Sequence, residues 1–343
     1  MKALILAGGK GTRLRPLTIN TPKPVVPVVN RPFLSYQLDL LAKAGIRDIT
    51  LSLSYQPNKI EEVMGDGSDK GVRLKYITEP SPMGTGGAYK FATEKTDEAI
   101  IVFNGDVLTD FSVAELVEKH RDSKADATIA LIPVEDPSRY GVVETDADGR
   151  VKQFIEKPSA DKIGSRGGGR VNAGIYVLEP TIWEMIPEGV PRSFEYEIFP
   201  EILRRGLNFV SYSLDGSYFK DIGTLKSYHE AHLDFLSGRI NGYELTKSTD
   251  FDIAATANVD EASIFGEGCV VRSNAKVTNS VVGNGVHIDE SAVIEDSVLW
   301  SHSRVSYSAQ VRGAVICVGC HIGRNVVVSE GSVLADDTIL PDR

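Results

Sequence analysis

The segment Leu6-Ala7-Gly8-Gly9-Lys10-Gly11-Thr12-Arg13-Leu14-Arg15 places three glycines among three cations, and Pro22-Lys23-Pro24 follows close behind. Glycines let a backbone approach a phosphate chain so that its N–H groups donate to the oxygens. Two familiar phosphate loops do not fit. Lys10 is followed by Gly11 where a P-loop lysine precedes Ser or Thr, and Leu14 stands where a dinucleotide-binding G-x-G-x-x-G has its last glycine. What remains is a set of backbone donors with Arg13, Arg15 and Lys23 and no general base nearby. Such equipment suits several phosphates held by position and charge neutralisation. A glycine turn that is merely structural is the alternative. A second candidate is Asp106, directly after the apolar run Ile100-Ile101-Val102-Phe103. A carboxylate at the carboxyl end of a buried strand can hold Mg²⁺, whose ligands are hard oxygens; otherwise Asp106 is a turn residue.

Positioning these groups requires a sheet. Apolar runs at Ala3–Ala7, Ile49–Leu53, Leu74–Ile77 and Ile100–Phe103 alternate with segments of helical spacing at Phe33–Ala44, Asn58–Met64, Gly86–Lys95 and Val113–Arg121. This order predicts an α/β, Rossmann-like domain, its mostly parallel sheet covered on both faces. From Ala127 to Val177 longer strands and a hairpin are expected, with Asp146-Ala147-Asp148-Gly149 as a turn, which makes the sheet mixed; Leu225–Leu236 reads as a closing helix. Near residue 252 the period changes. Aliphatic or aromatic residues recur six apart at Ile253, Val259, Phe265, Val271 and Val277, and the register continues to Leu340 with shortened steps at 277→282, 294→299 and 311→316. A hexad at three steps per turn predicts a parallel β-helix. Gly266, Gly268, Gly283, Asn284, Gly285, Gly319 and Gly323 are expected at corners that need positive φ. The polar stretch Ser237–Asp252 contains the boundary, giving a domain over 1–240 and a β-helix over 251–343.

Composition narrows the partners. Lys+Arg 37 against Asp+Glu 47 gives net charge −10, which argues against general nucleic-acid or anionic-membrane binding, though not against a phosphorylated substrate in a local basic pocket. Three cysteines (Cys269, Cys317, Cys320) are too few for a disulfide framework, and Cys317-x-x-Cys320 lacks the second pair that a zinc site needs. No apolar run is long enough for a signal peptide or membrane span, so the expected compartment is the cytoplasm.

The glycine loop, Pro22-Lys23-Pro24, Asn104-Gly105-Asp106, Phe154-Ile155-Glu156-Lys157-Pro158, Val171-Asn172-Ala173-Gly174-Ile175-Tyr176 and Lys220-Asp221-Ile222-Gly223-Thr224 occur in the order found in sugar-1-phosphate nucleotidylyltransferases. The sequence resembles that family over essentially its whole length, which implies a left-handed β-helix at the C-terminus. It also implies attack by a sugar 1-phosphate on the α-phosphorus of a nucleoside triphosphate, with GTP and mannose 1-phosphate favoured. By the resemblance Arg13 and Lys23 are catalytic, neutralising the triphosphate. Leu6, Gly8, Gly9, Gly11, Thr12, Arg13, Glu79 and Gly84 bind the nucleotide; Gly141, Glu156, Lys157 and Asn172 bind the sugar phosphate; Asp106 and Asp221 hold Mg²⁺. Related thymidylyl- and uridylyltransferases carry glutamine where Glu79 stands. Guanine presents two adjacent donors that one carboxylate can accept, whereas a pyrimidine carbonyl would face it as another acceptor.

Each role has a plainer counterpart. Asp221 can be the N-cap of the helix near Thr224, Glu156 and Lys157 a solvated strand end, Glu195 a favourable charge in a helix's first turn, and Glu79 a surface side chain. Other nucleotide-sugar products remain open: dTDP-, UDP- or ADP-glucose, or a heptose joined to guanosine diphosphate. So does a non-catalytic regulatory homologue. Hexapeptide β-helices also build acyltransferases with a histidine base, for which His287, His302 and His321 are candidates, but the unbroken register leaves no room for the usual loop excursions. A role in assembly, as a homo-oligomer through the β-helix, is the expectation.

Overall fold

The computed structural model describes residues 1–158, 169–243, 245 and 248–343, so part of the expected hairpin region and of the boundary stretch lies outside the described residues. The chain forms two compact units, and neither is one continuous stretch.

The first unit comprises Met1–Gly9 and Leu34–Phe219. Its nine-stranded sheet centres on Lys2–Leu6, which pairs in parallel with Asp48–Leu53 on one side and Ile100–Asn104 on the other. Arg73–Thr78 extends the parallel part beyond Asp48–Leu53. Beyond Ile100–Asn104 the sheet becomes mixed: Gly169–Leu178 runs antiparallel to it and to Ala127–Val134. Gly141–Thr145 and Val151–Glu156 pair antiparallel with each other, and Phe209–Ser213 joins Ala127–Val134 in parallel. The central strands Lys2–Leu6 and Ile100–Asn104 are apolar at all but one end position each because helices such as Leu34–Lys43 and Gly84–Ala92 cover the sheet. Leu4, Val102, Tyr176, Phe194 and Phe199 belong to one buried core packed on this sheet.

The second unit comprises Lys10–Phe33 and Lys220–Arg343. The hexad residues fill the centre of a three-sided parallel β-helix. Ile253, Val271, Ile288, Val305, Ile322 and Leu340 stack in one sheet. Val259, Val277, Ile294, Val311 and Val328 form the second, and Phe265, Val282, Leu299, Ile316 and Leu334 the third. Every shortened step falls at the corner between the second and third sheets. The glycine expectation needs one correction. Gly268, Gly285 and Gly319 do take positive φ, but Gly283 and Asn284 do not; a Cβ on Gly283 would lie 2.6 Å from the Ser301 nitrogen of the next coil. Coil spacing, not backbone handedness, demands that glycine. The same holds at Gly266 and Gly323.

The third sheet differs from the other two on its outer side. Ile264, Val281, Val298 and Val315 alternate with the inner row, so they point outward, yet each is no more than 2% exposed. Hydrogen bonds tie the helix Leu225–Leu236 and the segment Lys10–Phe33 to this side: His229 to the Asp296 carbonyl, and Asn30 to the Val282 carbonyl. Among the described residues no helix is long and apolar enough to cross a membrane.

Candidate active site

In the first unit the candidates gather at the carboxyl ends of the central strands, where open α/β sheets bind ligands. Leu6 ends the first strand, and its carbonyl accepts from Gly105 N–H at 2.9 Å. A Cβ on Gly105 would meet that carbonyl at 2.8 Å, so only glycine lets the Asn104-Gly105-Asp106 turn lie against the strand end. Asp106 is thereby held, half-buried, beside the start of the glycine loop. Gln37 braces this turn: its Nε2 donates to the carbonyls of Asn104 and Val107, both at 2.9 Å.

Glu79 follows the strand Arg73–Thr78 and turns inward. Its Oε1 accepts from Ser52 Oγ at 2.8 Å, its Oε2 from Met83 N–H at 3.3 Å, and a Cβ on Gly8 would lie 3.1 Å from Oε1. Ser54 donates to the Gly8 carbonyl and fixes the loop's first turn. Gly84 opens the following helix at φ +69° under the Arg192 carbonyl, which accepts from Gly86 and Gly87 N–H.

A second cluster forms around Tyr176. Gly141 and Glu156 are paired across the antiparallel strands, and a Cβ on Gly141 would meet Glu156 Oε2 at 2.7 Å. Burial raises the Glu156 carboxyl above its ordinary value, Lys157 opposes this, and Glu195 adds to it. Lys157 sits 3.4 Å from Glu156, largely exposed, and adopts φ +44°, a conformation uncommon outside glycine. Asn172 donates to Tyr176 Oη at 2.8 Å and accepts from Gly174 N–H at 2.8 Å, so it is fixed but retains one donor. Tyr176 is buried and held well above its usual pKa by burial first, then by Glu195, with Glu156 and Asp106 adding. Glu195 is pinned by the hydroxyls of Thr85 (2.7 Å) and Ser193 (2.6 Å) in the first turn of a short π-helix, Phe194–Ile198.

The second unit carries the cations of the glycine loop and Lys23. Gly11 (φ +62°) precedes the 3₁₀ turn Thr12–Leu14, which presents Arg13 to solvent. A Cβ on Gly11 would meet Lys23 Cβ at 3.2 Å, and the Gly11 carbonyl accepts from Thr18 Oγ1 at 2.7 Å. Lys23 is therefore folded back onto the loop and is 9% exposed. Asp221 closes the group: a Cβ on Gly223 would lie 2.9 and 3.0 Å from its two oxygens and 3.1 Å from Arg13 Nη2. Asp221 is not the helix cap. Thr224 is, in a capping box with Ser227. Gly9 and Lys10 are exposed along the loop. Among the described residues no cluster of three or more His, Cys, Asp or Glu forms a metal site by itself.

A family model described as Nucleotidyl transferase matches residues 2–238, and one described as the EIF2B subunit epsilon LbH domain matches 241–343. The chain belongs to the nucleotidyl transferase family. A mannose-1-phosphate guanylyltransferase of Mycobacterium tuberculosis is 36% identical over 304 residues, covering 85% of this chain and 82% of that protein. A probable mannose-1-phosphate guanylyltransferase 2 of Oryza sativa subsp. japonica is 34% identical, covering 97% and 96%. The mannose-1-phosphate guanyltransferase of Yarrowia lipolytica is 36% identical, covering 100% and 93%. The β-helix of this nucleotidyl transferase is left-handed, and its coils run from Phe251 to Leu340 without a long excursion. Cys317 and Cys320 are buried free thiols within those coils.

Three residues of the site escaped sequence reasoning. Tyr176 stood inside a quoted motif without a role, and its tyrosine in an otherwise aliphatic strand was the available signal. Gln37, a polar residue on the apolar face of its helix, was visible in the same way. Thr85 carried no signal beyond its place among glycines.

Proposed function

We propose that the chain is a mannose-1-phosphate guanylyltransferase, joining GTP and mannose 1-phosphate into GDP-mannose and pyrophosphate. The observation that carries this reading is kinship, over nearly the full chain, with proteins that bear that name. The inward Glu79 carboxylate supports the choice of guanine. In this reading Leu6, Gly8, Glu79 and Gly84 take the base and nucleoside, while Gly9, Gly11 and Thr12 offer backbone donors to the phosphates. Arg13 neutralises the departing pyrophosphate and Lys23 the α-phosphate. Lys157 pairs with the sugar phosphate, and Glu156, Asn172 and the Gly141 backbone take the sugar hydroxyls. The attacking phosphate oxygen is already an anion, so no base is needed: a P–O bond forms at the α-phosphorus as the bond to pyrophosphate breaks.

Asp106 and Asp221 are the proposed Mg²⁺ ligands. Their donor set fits, since both are half-buried hard-oxygen groups, and Mg²⁺ characteristically takes one or two carboxylates plus substrate phosphates and water. When bound, the ion would stabilise charge on the reacting phosphates. The reading includes a cytoplasmic setting, which three free buried thiols fit, and association of copies through the β-helix, where Val327 and Ile339 lie exposed on the last coils. Pyrophosphate release, measured over a matrix of nucleoside triphosphates and sugar 1-phosphates with and without Mg²⁺, tests it. The expected maximum is GTP with mannose 1-phosphate in Mg²⁺; a maximum at another pair would replace the substrate assignment.

A further inference from the structure

Between Lys23 and Phe33 the chain makes a small hairpin, Pro27–Val28 against Arg31–Pro32, turned through Val29 and Asn30 at φ +46° and +60°. A β-branched residue in that conformation costs about 1–3 kcal/mol and persists only where the surroundings hold it. Here they do. Val29 N–H donates to His232 Nδ1 at 3.3 Å, Asn30 Nδ2 donates to the Val282 carbonyl at 2.9 Å, and the Pro27 carbonyl accepts from Tyr228 Oη at 2.5 Å. Tyr228 in turn accepts from Trp300 Nε1 at 2.9 Å. Tyr228 and His232 are 0% exposed and Trp300 3%, so these directional bonds are made away from water.

The hairpin is tied to the cations. Phe33 N–H donates to the Val26 carbonyl, and Val26 N–H to the Lys23 carbonyl, so the base of the hairpin closes onto the turn that carries Lys23. Lys23 lies on Gly11, one turn before Arg13. A further bond, Asn20 Nδ2 to Asp336 Oδ2 at 2.9 Å, ties the same segment to the last coil.

We propose that Trp300 and Tyr228 are positioning residues for the transfer reaction, acting through Pro27 on the loop that bears Lys23 and Arg13. The β-helix is then the frame of the phosphate loop as well as an assembly surface. This inference rests on the reading of those two cations as triphosphate ligands. The Tyr228 hydroxyl has one hydrogen, which it gives to Pro27, and the Trp300 N–H occupies its oxygen and stops the rotor from turning elsewhere.

The test uses the full chain with Tyr228→Phe, Trp300→Phe and both together, reading kinetics with each substrate varied and amide exchange over residues 10–33. Tyr228→Phe should lower kcat/KM for GTP about fivefold, the worth of one hydrogen bond, while KM for mannose 1-phosphate stays within about twofold. Exchange over 10–33 should quicken. Trp300→Phe should shift both readouts in the same direction, and the double variant should be no worse than Tyr228→Phe, because the indole acts through that oxygen. Unchanged exchange in Tyr228→Phe, equal losses for both substrates, or additive effects in the double variant would overturn the proposal. Asn30→Ala cuts the direct bond to Val282 at a half-buried tip and should also quicken exchange, which keeps the test open if the core variants fold poorly. A wild-type chain without nucleotidyl transfer would defeat the functional reading, and the exchange measurements would still decide the coupling.

Discussion

Glu79 engages Ser52 and Met83 with one oxygen each, which leaves both oxygens with acceptor capacity, and Oε1 lies beside Gly8 at the start of the glycine loop. Replacing it by glutamine keeps the size and removes one acceptor. Glu79→Gln should lower the ratio of kcat/KM for GTP over UTP by at least about tenfold, because a donor now faces the guanine donors. An unchanged ratio would hand base choice to the backbone at Leu6, Gly8 and Gly84. Gly223 offers a second test of the same kind. Its φ is ordinary, so alanine suits the backbone, but the added Cβ would press on both Asp221 oxygens and on Arg13 Nη2. Gly223→Ala should therefore fold with an unaltered thermal midpoint and lose about tenfold or more in kcat, since displaced charge acts on the transition state. A lowered midpoint with full kcat would mean that the crowding is only structural. These roles were legible to different degrees. Arg13, Lys23 and Asp106 stood out through residue type and spacing and Asp221 only through the family resemblance, whereas Gln37 and Thr85 act through carbonyls and carboxylates that a sequence does not pair.

Among the elements, the β-helix was readable position by position, because its hexad names the inner row and each coil contacts only the next. Its outer side was readable too, had the doubled apolar pairs Val281-Val282, Val298-Leu299 and Val315-Ile316 been set against His287-Ile288 and Arg304-Val305. What no local pattern shows is that Lys10–Phe33 folds with those coils, since the contacts span more than two hundred residues. The helix Leu225–Leu236 is the middle layer of that arrangement and carries a titratable group. His232 is driven down to about 3 by burial, with His229 adding to the effect, and its Nδ1 must stay unprotonated to accept from Val29. In the unfolded chain it protonates near pH 6.5, so the unfolded state binds the extra proton. Stability is whole above that pH and falls toward pH 3 by up to about 1.4 kcal/mol per unit. His232→Asn keeps an acceptor without the titration. Urea unfolding between pH 4 and 7 should show a shallower acid slope in that variant, and an identical slope would assign the acid sensitivity to other groups.

At the scale of the whole molecule the division of the chain decides how it fails. If the proposed phosphate loop and the β-helix were separate modules, damage inside the coils would leave the chemistry intact until the coils themselves were needed for association. The contacts group them instead in one unit, with the loop segment Lys10–Phe33 inside it. Leu299 tests the difference. It is fully buried in the inner row, directly before Trp300, and far in sequence from every proposed ligand. Leu299→Ala should cost about 3 kcal/mol as a core cavity, or roughly 10 °C in a unit of this size. In a single cooperative unit the loop loses its support when the coils melt. The temperature at which transfer activity is lost should then fall together with the midpoint of the coils' circular dichroism, by the same interval. Activity that outlasts the melted coils would show that the loop keeps its shape alone. The β-helix would then be a module for assembly, and Trp300 an ordinary core residue.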